Sequence, residues 1–274
     1  MALGTWLVKK LSNYLLKDVS PSRSYLCDFS RVRHEVRMAD VLLIEGRNRI
    51  SHIVQRITQS PWSHAALYIG HIHNIEDPAL REFVQQNYQG SLSEPLLVEA
   101  MIGEGTIIVP MSKYKHEHVR VCRPTGLSHI DAQKIIEYAV HSIGRTYNLR
   151  HFIDLGRFLL SSKLIPRAWH SSLFKNSKGK AKQDICSVMI AKAFMSVKFP
   201  ILPLIRKNDA NDVELIRRNP KLYAPSDFDY SPYFDIIKYP MMPVTGFSAY
   251  RNLPWQDAVI SNDDRGLSAE LEED

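Results

Sequence analysis

Five short apolar runs between residues 40 and 122 constrain the fold more than any other feature of the chain. Runs of this length are typical of β-strands, and glycine, proline or polar turn residues separate them. Short connections between successive strands favour antiparallel pairing. We therefore expect an antiparallel sheet or an open barrel. The runs cover residues 40–45, 64–70, 96–101, 106–109 and 119–122.

Helical spacing appears between and after these strands. Apolar residues recur at intervals of three and four from Ile50 to Ile57, which predicts a helix with one apolar face. Ser128 and Asp184 are suited to cap two later helices. After Pro200 the proline-rich sequence predicts irregular structure, so the fold class is α+β, with the sheet packed against helices. Further helices are expected over residues 128–143, 150–161 and 184–195, and a short one inside an insertion at 71–94.

The charge of the chain is unevenly distributed. The total is +6, but residues 263–274 hold six acidic residues and one arginine, a net −5, so the rest of the chain carries +11. A basic body is suited to anionic partners such as membrane headgroups. We find no aromatic-glycine RNA-binding signature, zinc-finger spacing or basic-zipper pattern, and we expect no nucleic-acid partner.

Cysteine usage and hydropathy bear on the compartment. The three cysteines, Cys27, Cys122 and Cys186, are an odd and sparse set, which favours a reducing, cytoplasmic location over a disulfide framework. No run of 18 apolar residues predicts a transmembrane helix. Residues 3–15 instead carry apolar side chains at helical spacing around two lysines. Such an amphipathic helix either packs on the body or lies on an anionic membrane surface.

Three residues have the chemistry of a cysteine nucleophile and its base. Cys186 lies in the first turn of a predicted helix, where unpaired N–H groups and the dipole favour a thiolate. His64 opens a strand and could take the thiol proton. Glu99 lies inside the apolar run LLVEAM, where a carboxylate needs a partner or must face water, and it could orient the imidazole. Taken singly, each residue also fits a structural role.

The order of the segments resembles the permuted papain-like enzymes of the NlpC/P60 superfamily, in particular the YaeF/YiiX-like group. The resemblance covers roughly residues 38–235, and it depends on the joint order of the segments. The matching segments are ADVLLIEG (39–46), TQSPWSHAALYIG (58–70), LLVEAMIGEGTIIVP (96–110), GRTYN (144–148), DICSVMIAKAF (184–194) and APSDF (224–228).

This resemblance implies a circularly permuted papain-like fold, in which the catalytic histidine precedes the cysteine along the chain. It implies a catalytic triad with Cys186 as the nucleophile, His64 as the general base and Glu99 as the residue that orients the histidine. No cofactor is expected. The chain departs from the group at Ala39, where relatives usually have glycine, and at Val188, where an acidic residue is common.

The resemblance also divides the chain into three parts. Residues 1–37 are expected to form the amphipathic helix and a linker. Residues 38–240 are expected to form the catalytic domain. Residues 241–274 are then a C-terminal extension with an acidic, disordered tail.

We therefore expect a cysteine hydrolase of amide or ester bonds that acts on a lipid, lipopeptide or peptide substrate through an acyl-enzyme. One alternative is an acyltransferase of the lecithin:retinol acyltransferase type, which shares the permuted layout. Another is a non-enzymatic membrane-surface protein on the same fold.

A zinc site is a further interpretation. His71-x-His73 and His116-x-His118 would each place two imidazoles on one strand face. No nearby cysteine pair or H-E-x-x-H motif supports it, and we expect no metal.

Overall fold

The computed structural model describes Lys17 and residues 27–101, 104–145, 186–207 and 211–255. The strands in these residues are β1 (Val41–Glu45), β2 (His64–Gly70), β3 (Leu96–Met101), β4 (Gly105–Pro110), β5 (His118–Pro124), β6 (Leu204–Lys207), β7 (Val213–Ile216) and β8 (Phe234–Ile237). Six of them form an antiparallel sheet in the order β4-β3-β2-β1-β5-β8, and β6 pairs with β7 in a separate hairpin. In the described part of the chain the sheet stays open, with β4 and β8 as its edges.

The helices of the described residues are α1 (Phe29–Glu35), α2 (Arg49–Thr58), α3 (Pro78–Asn87), α4 (His129–Val140), α5 (Cys186–Ser196) and α6 (Ser226–Tyr230). The α+β prediction is confirmed, and so are the five predicted strands. Ser128 caps α4 as expected, because its Oγ accepts a hydrogen bond from the Asp131 N–H. The predicted helices at 3–15 and 150–161, the Asp184 cap and the acidic tail lie outside the described residues. None of the described helices is long and apolar enough to cross a membrane.

Both faces of the central sheet are buried. Along β2, Ala65, Leu67 and Ile69 pack into a core that includes α4 and α5, whereas Ala66 and Tyr68 pack into a second core that includes Val32 of α1. Burial on both faces explains why the strands read as continuous apolar runs. A polar side chain within this sheet is therefore an exception that needs partners.

The chain after Pro200 is more regular than its sequence predicted. We expected irregular structure, but this segment forms the β6–β7 hairpin, helix α6 and strand β8, which pairs with β5. The prediction was wrong because prolines disfavour strands and because the three strands have only four residues each, too few for a clear alternating pattern. The rings that tie this segment to α5 have centroids 5.2–5.7 Å apart, and they belong to Phe194, Phe199, Phe228 and Phe234.

Ala39, the alanine that stands where the resembling group usually has glycine, adopts a backbone conformation that favours glycine. Its φ is 65°, in the left-handed region that favours glycine, and the residue is fully buried at the turn into β1. For a residue with a Cβ this conformation costs about 1–2 kcal/mol. The next residue stabilises the turn, because the buried Asp40 carboxylate accepts from the Arg37 N–H at 2.8 Å and from Arg123 at 2.8–3.2 Å.

We expect Phe228→Ala to lower the free energy of unfolding by about 3–5 kcal/mol, because it removes a fully buried ring from the aromatic cluster around α5. Tyr230→Ala in the same helix is the matched control, since Tyr230 is 81% exposed and its loss should change stability by about 0.5 kcal/mol or less. Urea unfolding measures both. A small effect for Phe228→Ala would place residues 226–237 outside the cooperative catalytic domain that we predict for 38–240.

Candidate active site

The structure brings the three predicted site residues together. His64 is the first residue of β2, and its Nε2 lies 2.8 Å from the Glu99 Oε2 of the neighbouring strand β3. Cys186 is the first residue of α5, and its sulfur hydrogen-bonds with the His64 side chain. Since Nε2 faces Glu99, Nδ1 is the ring nitrogen left for the sulfur. The imidazole therefore lies between the sulfur and the carboxylate, with a hydrogen bond to each.

Strand register accounts for the pairing of His64 with Glu99. β2 and β3 pair antiparallel with Leu67 opposite Val98. Continuing this register places Glu99 opposite Ala66, and side chains two residues apart share a face, so Glu99 and His64 point to the same side. Helix α5 packs against both strands, which brings its first residue to the start of β2, where His64 lies.

Glu99 is a fully buried carboxylate that accepts from three side chains. His64 Nε2 and the Tyr114 hydroxyl contact Oε2, and the Lys113 ammonium contacts Oε1. The side chain of Glu99 has no exposed surface, so its charge depends on these three donors. The sequence interpretation found the acid but missed both Lys113 and Tyr114.

The charges of the site stabilise one another. Burial alone would lower the pKa of His64, but its contacts with Cys186 and Glu99 raise that pKa to about 10. Burial opposes ionisation of Glu99, yet the contacts with His64 and, to a smaller extent, with Lys113 lower its pKa to about 2. Burial likewise opposes the Cys186 thiolate, but the charge and hydrogen bond of His64 bring the pKa of the thiol below its ordinary value. The N–H groups of Ala65 and Ser187 act in the same direction.

Access to the site is limited but present. The side chain of His64 is 17% exposed and Cys186 is 5% exposed. The other two cysteines have the opposite character, because burial raises the pKa of both Cys27 and Cys122. Cys122 is fully buried in β5. Of the three thiols, only Cys186 has the environment of a nucleophile.

The residues that precede His64 anchor the start of β2. The buried Trp62 donates its indole N–H to Asp229 Oδ2 at 3.2 Å, and Arg120 lies over the Trp62 ring at 4.6 Å while binding the same carboxylate at 2.7 and 2.9 Å. Ser63 accepts from the Gly46 N–H at 3.0 Å. These contacts fix Trp62 and Ser63, the two residues before His64, and so position the start of β2.

The expected strand-face geometry of the histidine pairs is wrong. His71 and His73 flank the first position of a 3₁₀ turn at Ile72–Asn74, and their rings stack with centroids 5.2 Å apart. His116 lies in the turn before β5, and His118 opens that strand with its Nδ1 2.9 Å from Glu45 Oε2. Across the described residues, no group of three or more His, Cys, Asp or Glu side chains is placed to hold a metal ion.

Comparison with known proteins gives one family. The model of the family described as "Permuted papain-like amidase enzyme, YaeF/YiiX, C92 family" matches residues 35–237, a range that contains all three site residues. A search of curated proteins finds no match. Among solved structures, the crystal structure of metalloprotein yiiX from Escherichia coli O157:H7 aligns with a TM-score of 0.45 and 14% identity, over 74% of this chain and 97% of that chain.

The family model spans well over half of the 274 residues, and the antiparallel sheet packed against helices agrees with it. The resemblance to the YaeF/YiiX-like group is thereby confirmed. The chain belongs to the permuted papain-like amidase family C92, and it is a cysteine hydrolase.

Proposed function

We propose that the protein hydrolyses an amide bond through an acyl-enzyme on Cys186, with His64 as the acid and base and Glu99 as the residue that orients it. The observation that carries this proposal is the position of His64, which bridges a buried carboxylate at 2.8 Å and the sulfur at the N-terminus of α5. A structural histidine would not require a fully buried anion on one nitrogen and a low-pKa thiol on the other.

Acylation follows from this geometry. The Cys186 thiolate attacks the carbonyl carbon, and the carbonyl oxygen becomes an oxyanion. We assign the Cys186 N–H at the helix N-terminus to this oxyanion, because the first N–H groups of a helix have no intrahelical acceptor. The imidazolium of His64 then gives its proton to the leaving amine, the C–N bond breaks, and the acyl group remains on sulfur as a thioester.

Deacylation uses the same residues in reverse. His64, now neutral, takes a proton from water as the water attacks the thioester carbonyl. The C–S bond breaks, the acid product leaves, and the thiolate and imidazolium are restored. Glu99 keeps its charge throughout, since its pKa of about 2 lies far below neutral pH, and it fixes the plane and tautomer of the ring.

The charge of the chain bears on the class of substrate. A chain with +11 outside its acidic end is suited to substrates at an anionic surface, and we propose an acylated lipid or lipopeptide, with a peptide as the second class. We also propose a cytoplasmic location with peripheral membrane binding through residues 3–15, whose apolar face and lysines would act together on a bilayer.

Substitutions at the three residues should separate their roles. Cys186→Ala should abolish turnover, and His64→Ala should lower kcat by about 100-fold or more, because the proton carrier is lost. Glu99→Gln keeps the shape and one acceptor but loses the charge, so activity should fall several-fold while the fold survives. Hydrolysis of a panel of N-acyl p-nitroanilides and p-nitrophenyl esters measures these effects, and mass spectrometry locates the acyl group.

Turnover that survived in Cys186→Ala would contradict the proposal. An unchanged rate and pH profile in Glu99→Gln would mean that another residue orients the histidine. Adding a primary amine or an alcohol as acceptor tests the acyltransferase alternative: a hydrolase releases the free acid, whereas an acyltransferase forms the new amide or ester.

Removal of residues 1–18 tests the membrane part of the proposal. The truncated protein should lose binding to vesicles that contain phosphatidylglycerol, and the full chain should bind them less tightly as salt is added. Turnover of a soluble short-chain ester should remain. Cosedimentation and a thermal melt are measured on the same preparation. A lower melting temperature together with lost ester turnover, and no vesicle binding by the full chain, would show that this segment packs on the body instead.

A further inference from the structure

Lys113 reaches the site from a turn that the strands hold in place. The 3₁₀ turn Met111–Tyr114 follows β4 directly, and Met111 and Tyr114 are both buried in the second core. The Met111 N–H also donates to the Pro95 carbonyl at 2.8 Å, just before β3. Lys113 lies between the buried residues Met111 and Tyr114. Its ammonium contacts Glu99 Oε1, while a third of its side chain is exposed. This geometry fixes a cation at the second oxygen of the buried acid.

The charges of the site balance only when this lysine is counted. In the resting state that we propose, Cys186 and Glu99 are anions and His64 is the cation between them. Without Lys113 the buried group would carry a net negative charge, and each anion would destabilise the other in a poorly screened environment. Two further ionisable groups of the described residues act here: Tyr114, which is neutral because burial and Glu99 raise its pKa, and Glu117, whose charge acts on Tyr114.

We propose that Lys113 is a positioning residue whose charge helps to stabilise the Glu99 carboxylate and sets the pH range in which the Cys186 thiolate and the His64 imidazolium coexist. This inference rests on the proposed function, and it adds a fourth group to the three that the sequence indicated. The Lys113 ammonium contacts Glu99, so its effect on the sulfur passes through Glu99 and through space. A purely structural lysine would tie the turn to the sheet and leave the titration of the thiol unchanged.

The test compares charge-removing and charge-keeping variants of the full chain. Lys113→Met and Lys113→Gln are neutral, Lys113→Arg keeps the charge, and Lys115→Met removes an exposed charge from the residue after the same turn. Two profiles are measured against pH: the rate of iodoacetamide alkylation of Cys186, read by peptide mass spectrometry, and kcat/KM for the best substrate of the panel. In the wild type, Cys186 should react faster than Cys27 and Cys122, and well below the ordinary thiol range.

Removing the positive charge of Lys113 should move the titration midpoints of Cys186 and His64 in the same direction. Glu99 stays ionised in the neutral variants, because His64 lowers its pKa more than Lys113 does. Removing the lysine charge then destabilises the thiolate and takes a repulsion away from the imidazolium, so both should titrate at higher pH. In Lys113→Met and Lys113→Gln we expect the alkylation midpoint and both limbs of kcat/KM to move up by about one pH unit. Alkylation below the midpoint should therefore fall about tenfold. Lys113→Arg and Lys115→Met should keep the wild-type midpoints.

Each outcome bears on one claim. Neutral variants that fold with unshifted midpoints would overturn the role of Lys113, even if the wild type hydrolyses amides. A loss of activity that is equal at every pH would also overturn this role, because it indicates lost structure and no change in titration. Alkylation has no need of substrate, so a shifted thiol titration in a protein that hydrolyses nothing supports the role of Lys113 and counts against the proposed function. A melt on each variant confirms that the neutral proteins are folded.

Discussion

Glu99 is a carboxylate with no exposed surface inside a sheet that is apolar on both faces, and its ionisation depends on three donors. Leaving such a charge without partners would cost several kcal/mol. His64, Lys113 and Tyr114 remove that cost, and in doing so each is fixed in place. The interaction is reciprocal, because the anion that needs the imidazole also holds the imidazole in the orientation that the thiol needs.

Strand register, a turn and the packing of one helix bring these groups to one point. The register of β2 and β3 places His64 and Glu99 on one face. β4 pairs with β3 and ends at the turn that carries Lys113 and Tyr114. Helix α5 packs on the opposite face and brings its N-terminus to the start of β2, so the sulfur meets the imidazole from the other side. Four segments of the chain thus meet in one cluster of ionisable side chains.

Sequence reasoning predicted the parts of this arrangement that have a local signal. The strands from 40 to 122 and the helix at Cys186 have strong apolar patterns, and the order of segments around His64, Glu99 and Cys186 resembled one family. Lys113 has no such signal, because a lysine after a strand is usually solvated. The available signal was indirect: a carboxylate in the run LLVEAM needs a partner or must face water, and the strand after LLVEAM ends at Pro110, shortly before Lys113. Strand β8 was missed because it has only four residues and because the prolines before it indicated irregular structure.

The central claim is that His64 is held between two anions as an imidazolium, and ring-nitrogen NMR of the histidines measures this directly. Assignment is made with His64→Ala. In the wild type the His64 signals should stay in the charged form through neutral pH and titrate near pH 10. In Cys186→Ala the thiolate is absent, so the titration should fall to lower pH. A wild-type His64 that loses its proton near the unperturbed value of about 6.5 would contradict the account.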